Sequence, residues 1–374
     1  MFPLLSFSTE VTLWIFTLVG IALTIVLWKK LSKNRWPHIA GRLGIILVIQ
    51  SLALASVGVT VNRYGEFYES WGDLFGAKQQ LAKIAISAQN LSQISFSDIE
   101  KAKKTKGGSL IFREVIKGAK SGISDYVYVV ASPKIAAQLE QPTRLIGTKY
   151  QVIELFPGSP GVPQTWIGTL GGITTMENLE NAGKIGPTIA VIPAINVVAG
   201  EDTECMNFVG GAKVETWITD DMQTFMQKFM GIDGRPWSAF GYSTGGWCAA
   251  EVAVKHQNQY SAGVSLAGYF QPILAHGLSK RERTYLSDRY DLAKLLRTGQ
   301  RNTKIMIISS VQDKFTHTSA LNFIAQAASL IPIKYVSIPQ GGHNINVWKP
   351  FVANGFLWID AQNVLARPST PLMP

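Results

Sequence analysis

Two apolar runs near the N-terminus set the first limit on what this chain can fold into. One extends from Val11 to Trp28, the other from Leu43 to Val61. Each is close to the ~20 residues that a helix needs to cross the hydrocarbon core of a bilayer. Between them stand Lys29, Lys30, Lys33, Arg35 and Arg42, whereas Glu10 is the only charge ahead of the first run. Loops rich in Lys and Arg stay on the cytoplasmic side. The asymmetry therefore places loop 29–42 in the cytoplasm, and residues 1–10 and everything after Val61 outside it. Trp14 and Trp28 stand where an interfacial aromatic belt would lie. A cleaved signal peptide fits less well, because no positive n-region leads the first run and a second span follows. The rival is a helical hairpin buried inside a soluble protein.

The expected layout is an extracytoplasmic N-terminus (1–10), spans at 11–28 and 43–61, and the basic loop 29–42 between them. A juxtamembrane connector (62–106), a large domain (107–366) and a tail (367–374) follow. The chain has 374 residues and a formal charge of +10, so a nucleic-acid partner has to be considered. Much of the excess lies in the Lys29–Arg35 cluster and in Lys101, Lys103, Lys104 and Lys106. Neither cluster interleaves with aromatics, and there is no zinc-finger spacing or long basic helix, so nucleic acid is not an expected partner. The only cysteines are Cys205 and Cys248. Nothing has metal-ligand spacing, and neither metal nor cofactor is expected. In an oxidising compartment a lone pair can bridge, which makes Cys205–Cys248 a candidate disulfide.

From Gly107 the pattern changes. Strand-like stretches at 109–117, 124–131, 150–156, 185–193, 237–242, 262–266, 304–310 and 334–338 share the chain with helical spacing at 217–229, 247–256 and 319–330. Several strands are near-continuous apolar runs, as expected when both faces are covered. The fold class implied is α/β, a mostly parallel sheet with helices on both faces.

In such sheets, sites form at the C-terminal ends of strands. Gly241-Tyr-Ser243-Thr-Gly245 has the form G-x-S-x-G between a predicted strand and a predicted helix, the context that a nucleophile elbow requires. Two later strand ends lead into Asp313 and, after Gly341-Gly342, into His343. The chain order serine, aspartate, histidine is that of α/β-hydrolase triads. In that arrangement His343 takes the Ser243 proton, and Asp313 fixes its tautomer and stabilises the imidazolium. Asp291, Asp202 and Glu204 are competing acids, and His317 is the alternative base. An oxyanion hole needs two N–H donors. Thr244 supplies one, and the other comes from the loop at Pro157-Gly-Ser-Pro160. Proline has no N–H, which leaves Gly158 or Ser159, with Ser159 preferred. The arginine-rich segment 276–301 is either a cap over the pocket or a solvated surface helix.

With these residues in hand, the chain from about Gly107 onward resembles the esterase family of α/β-hydrolases that includes secreted mycolyltransferases and S-formylglutathione hydrolase. The resemblance rests on Pro157 to Trp166, Asp202 to Asn207, Glu215 to Asp221, Gly241 to Trp247 and Gly341 to Asn344. Its layout is similar to actinobacterial membrane-anchored esterase-like proteins. The resemblance implies an α/β-hydrolase fold preceded by two transmembrane helices. Ser243, His343 and Asp313 match the nucleophile, base and acid, and Thr244 and Ser159 match the oxyanion donors. Two features depart from the family. Pro157 stands where many members have histidine or aspartate, and two spans replace a cleaved signal. The expectation is a membrane-anchored serine esterase or acyltransferase acting on an ester, such as an envelope lipid or glycolipid. The rivals are a catalytically silent module of the same fold and a serine peptidase on it.

Overall fold

The computed structural model describes residues 4, 6–28, 30, 35–65, 71, 86–87, 93–141, 145–198, 202–274 and 278–365. The chain divides into two compact units, Met1–Gln79 and Gln80–Pro374.

The first unit contains helices α1 (Phe7–Trp28) and α2 (Trp36–Gly65). Both extend past the apolar runs, α1 by a polar first turn and α2 back to Trp36, so part of the expected basic loop is helical. Lys29 and Lys33 lie outside the described residues. The helices pair antiparallel through polar rungs. Trp14 Nε1 donates to Thr60 Oγ1 at 3.0 Å, and the Thr17 and Ser56 hydroxyls meet at 2.9 Å. Glu10 accepts from Thr60 Oγ1 at 2.9 Å and from Arg63 Nε at 2.5 Å. In lipid, polar groups must find such internal partners. The outer surface is apolar and exposed, with Ile25 at 71% and Leu54 at 74%. Both helices are long and apolar enough to cross a membrane.

The second unit is built on one sheet. Its strands are β1 (Ile86–Ser87), β2 (Lys103–Lys104), β3 (Leu110–Lys117), β4 (Ser124–Ala131), β5 (Gln151–Phe156), β6 (Thr188–Pro193), β7 (Trp237–Tyr242), β8 (Tyr260–Leu266), β9 (Ile305–Ser310) and β10 (Ile333–Ile338). The order across the sheet is β1-β3-β4-β6-β5-β7-β8-β9-β10, with β2 added onto β3. The antiparallel pairs are β2–β3, β3–β4 and β4–β6. From β6 to β10 every pair is parallel. The register matches Phe156 with Gly241, Tyr242 with Leu266 and Ser310 with Ile338. The loops leaving β5, β7, β9 and β10 therefore emerge along one edge.

Helices cover both faces. They are α3 (Phe96–Lys101), α4 (Pro133–Leu139), α5 (Gln164–Ile167), α6 (Gly172–Asn181), α7 (Met222–Phe229), α8 (Thr244–Lys255), α9 (Lys280–Arg289), α10 (Leu292–Thr298), α11 (Lys314–Ala327), α12 (Ile345–Trp348) and α13 (Val352–Leu365). One core packs Trp217, Phe225, Trp247, Tyr260 and Phe323. The other packs Trp166, Phe240, Trp348 and Phe356. Every residue of β5, β6, β7 and β9 is buried, as expected of mostly apolar strands covered on both faces. The edge strand β10 is only partly buried.

Three differences from the sequence reading matter. The sheet begins upstream of Gly107, because β1 and β2 belong to it; most of 66–92 lies outside the described residues. The helix expected at 217–229 opens with a π turn over Trp217–Asp221. Helix α11 starts at Lys314 rather than Ser319, because Asp313 caps it: the carboxylate accepts from Thr316 N.

Candidate active site

Strand β7 ends at Tyr242, and α8 begins two residues later with Ser243 at the corner. Ser243 adopts φ 55°, ψ −125°, a conformation that costs a non-glycine residue about 1–3 kcal/mol. The corner closes only over missing side chains. A Cβ on Gly241 would lie 1.9 Å from Gly245 O, and one on Gly245 would lie 2.3 Å from both Phe156 O and Pro157 O. The glycines of G-x-S-x-G are thus a packing requirement of the turn. Ser243 N donates to Leu266 O at 2.9 Å, which ties the corner to β8.

The three residues from separate strand ends meet here. Ser243 Oγ lies 2.9 Å from His343 Nε2, and His343 Nδ1 lies 2.5 Å from Asp313 Oδ2. Asp313 is held by its own helix, with Thr316 Oγ1 donating to Oδ2 at 2.5 Å and Thr316 N to Oδ1 at 3.4 Å. The residue is therefore a helix cap and the histidine's partner at once. Burial alone would raise its carboxyl, but the bonds from His343 and Thr316 outweigh it and hold the group below its ordinary value. The acid and histidine loops are cross-tied. Gly341 N donates to Gln312 Oε1 at 2.9 Å, and Ser310 Oγ donates to Gly341 O. Trp348 meets the imidazole edge-on at 4.6 Å. The His343 side chain remains 40% exposed, which leaves it open to a substrate.

The loop after β5 passes beside Ser243: a Cβ on Gly158 would come within 3.2 Å of Ser243 Cβ. Asn196, at the end of β6, clamps that loop, with Nδ2 donating to Gly158 O at 3.0 Å and to Gly161 O at 2.6 Å. Among the described residues no hydrogen bond occupies the N–H of Ser159 or Thr244. Thr244 N also belongs to the first turn of α8, whose N–H groups point at incoming negative charge.

The competing residues go elsewhere. His317 Nδ1 lies 3.1 Å from both Ser309 Oγ and Tyr335 OH. Asp291 caps α10, accepting from Lys294 N at 2.9 Å. Asp202 and Glu204 do approach the elbow, but from behind: Asp202 Oδ2 accepts from Thr244 Oγ1 at 3.1 Å. Cys205 and Cys248 are joined in a disulfide with Cα atoms 5.7 Å apart, which pins the 202–207 segment to α8. Closing a loop of 43 residues stabilises the fold by about 4 kcal/mol in the chain-entropy account. Of the arginine-rich segment, 276 and 277 lie outside the described residues. The rest forms α9 and α10, anchored by the buried Leu286, Tyr290, Leu292 and Leu296.

Sequence reasoning missed Asn196, and weighed Asp202 and Glu204 as rivals to Asp313 for the acid. Asn196 carried one usable signal, its place just past the end of an apolar strand.

No family model matches the chain. An uncharacterised Corynebacterium glutamicum protein is 26% identical over 224 residues, 56% of this chain and 52% of the relative. The chain thus spans about half the length of the curated relative it matches. Among solved structures it is similar to a ferulic acid esterase, with TM-score 0.56, 15% identity, and coverage of 68% of this chain and 98% of the other. It is similar also to an S-formylglutathione hydrolase from Agrobacterium tumefaciens, with TM-score 0.55, 14% identity, and coverage of 69% and 97%. A third is a fluorophosphonate-binding serine hydrolase of Staphylococcus aureus, with TM-score 0.53, 16% identity, and coverage of 67% and 98%. The strand order, the elbow after β7 and these likenesses together give the second unit an α/β-hydrolase fold.

Proposed function

We propose that the protein is a membrane-anchored serine esterase or acyltransferase whose centre is Ser243, His343 and Asp313. One observation carries the reading. The Ser243–His343 and His343–Asp313 contacts, at 2.9 and 2.5 Å, form at a strand-to-helix elbow. His343 Nε2 accepts the Ser243 proton as Oγ attacks the acyl carbon, and Asp313 stabilises the resulting imidazolium. The developing oxyanion is held by the N–H groups of Thr244 and Ser159. Collapse of the tetrahedral intermediate expels the alcohol, which takes its proton from His343, and leaves an acyl–Ser243 ester. Water or a second alcohol, deprotonated by His343, then releases the acyl group. The acceptor decides whether the outcome is hydrolysis or transfer.

The anchoring reading is supported by the exposed apolar faces of α1 and α2, which no buried core helix would present. With Arg35 and Arg42 in the basic loop, the second unit lies outside the cytoplasm. The Cys205–Cys248 bridge is consistent with that side, since disulfides persist in oxidising compartments. A tethered acyl-transfer centre works next to lipid esters, and an envelope lipid or glycolipid is the proposed donor. Mass spectrometry of the full chain after exposure to total envelope lipids tests this. The expected result is an acyl adduct on Ser243 whose mass names the donor. No adduct, together with no turnover of simple esters, would overturn the reading.

A further inference from the structure

A second polar chain reaches the elbow at Thr244. Thr244 Oγ1 donates to Asp202 Oδ2 at 3.1 Å. The Tyr269 hydroxyl lies 3.3 Å from the same Oγ1 and 2.7 Å from Glu204 Oε1. Ile273 N donates to Glu204 Oε2 at 3.1 Å. Thr244, Tyr269 and Glu204 are each at most 4% exposed, so water does not substitute freely for a missing partner.

The proton count along this chain is restrictive. Each hydroxyl carries one proton. The Thr244 proton goes to Asp202, so Thr244 Oγ1 can only accept from Tyr269. The Tyr269 proton then goes to Thr244, and the phenol oxygen can only accept from Glu204. All three bonds are made at once only if Glu204 carries a carboxyl proton. Its surroundings agree: burial and the neighbouring Asp202 charge push its carboxyl up to about 8, against the bonds from Tyr269 and Ile273. Among the described residues, Asp202, Tyr269 and the Ile273 N–H are the groups acting on it. The backbone is bent to put it there. Glu204 and Cys205 adopt left-handed φ of 52° and 53°, pinned by the disulfide to Cys248 and by Trp247 Nε1 on Glu204 O at 2.9 Å.

We propose that Glu204 is a positioning residue for the oxyanion side of the site: as a neutral acid it donates through Tyr269 to Thr244, fixing the residue whose amide meets the oxyanion. The proposal rests on the esterase reading above. Ionised, Glu204 takes the Tyr269 proton for itself, leaves Thr244 Oγ1 without a donor, and adds negative charge behind the site where negative charge must develop.

The test is the rate of Ser243 acylation by a 4-nitrophenyl ester, followed from neutral to alkaline pH in wild type, Glu204→Gln and Tyr269→Phe. The glutamine amide donates to Tyr269 and accepts from Ile273 N but cannot ionise. Wild type should lose activity as pH rises through about 8. Glu204→Gln should keep its neutral-pH rate within about threefold and lack that alkaline loss, because a hydrogen-bonding isostere preserves the contacts. Tyr269→Phe should lower kcat by about tenfold with KM nearly unchanged, as expected for an interaction felt mainly in the transition state. An alkaline loss that persists in Glu204→Gln, or an unchanged kcat in Tyr269→Phe, would overturn the proposal while leaving the esterase reading intact. Absence of acylation in wild type at every pH would instead remove both.

Discussion

Helix α8 has a histidine–carboxylate pair at each end, and the two pairs differ in what surrounds them. At its N-terminal end His343 holds Asp313 with one nitrogen and faces the Ser243 hydroxyl with the other. At its C-terminal end His256 Nε2 lies 2.8 Å from Glu215 Oε1. There the carboxylate is already satisfied. Lys255 Nζ reaches Glu215 at 2.8 Å and Glu251 at 3.0 Å, and Tyr290 OH donates to Glu215 Oε2 at 2.6 Å. The ammonium also sits 3.5 Å from the Tyr290 ring centre. Burial would raise Glu215, but the bonds from His256, Lys255 and Tyr290 pull it well below its ordinary value. Glu251, wholly buried, is pushed up. Glu215, Glu251 and His256 are close enough together to suggest a metal site, yet Lys255 already supplies a cation between the two acids. The same residue types thus face a strained serine at strand ends and, at the other end of the helix, form a charge-paired joint around Lys255.

Removing groups from the two ends should separate these roles. The largest effect is expected from Ser243→Ala or His343→Ala, which should lower kcat by about 10⁴–10⁶-fold while the melting temperature stays near wild type. Asp313→Asn should cost on the order of 10⁴-fold in kcat, and asparagine still caps α11. Steady-state ester hydrolysis with a parallel melting curve checks both, and a fully active Asp313 variant would move the acid elsewhere. At the other end, Lys255→Met strands two buried carboxylates and should destabilise the fold by about 3–5 kcal/mol. Denaturant titration reads this directly, and the folded fraction should still acylate at Ser243. A Lys255 variant that keeps its stability but loses acylation would invert the comparison. The smallest effect is expected from Asn196→Ala. It releases two carbonyls of the loop beside Ser243 and should lower kcat by about tenfold, about 1.4 kcal/mol.

The contrast also shows what the sequence could and could not reveal. Strands β5 to β9 were legible because burial on both faces leaves them mostly apolar. Ser243, Asp313 and His343 were legible because each lies within a few residues of a strand's C-terminal end. The first turn of α11 was hidden in Lys314 to Ser319, where Phe315 is the single apolar residue and no apolar period shows. Helix α13 went unseen as well: its apolar content is spread around the helix and carries little periodic contrast. The Glu204–Tyr269–Thr244 chain was illegible for another reason. Its members are 65 and 25 residues apart, and only the tertiary fold brings them together. Likewise Asp202 and Glu204, read as acids in the wrong order for the triad, gained a place once the Cys205–Cys248 bridge fixed their segment behind the elbow.

The most direct test of the central claim is peptide-mapped mass spectrometry of the full chain after treatment with a fluorophosphonate. The account predicts one covalent adduct, located on Ser243, present in wild type and missing from Ser243→Ala. Equal labelling of both proteins, or a wild-type adduct on any other residue, would contradict it.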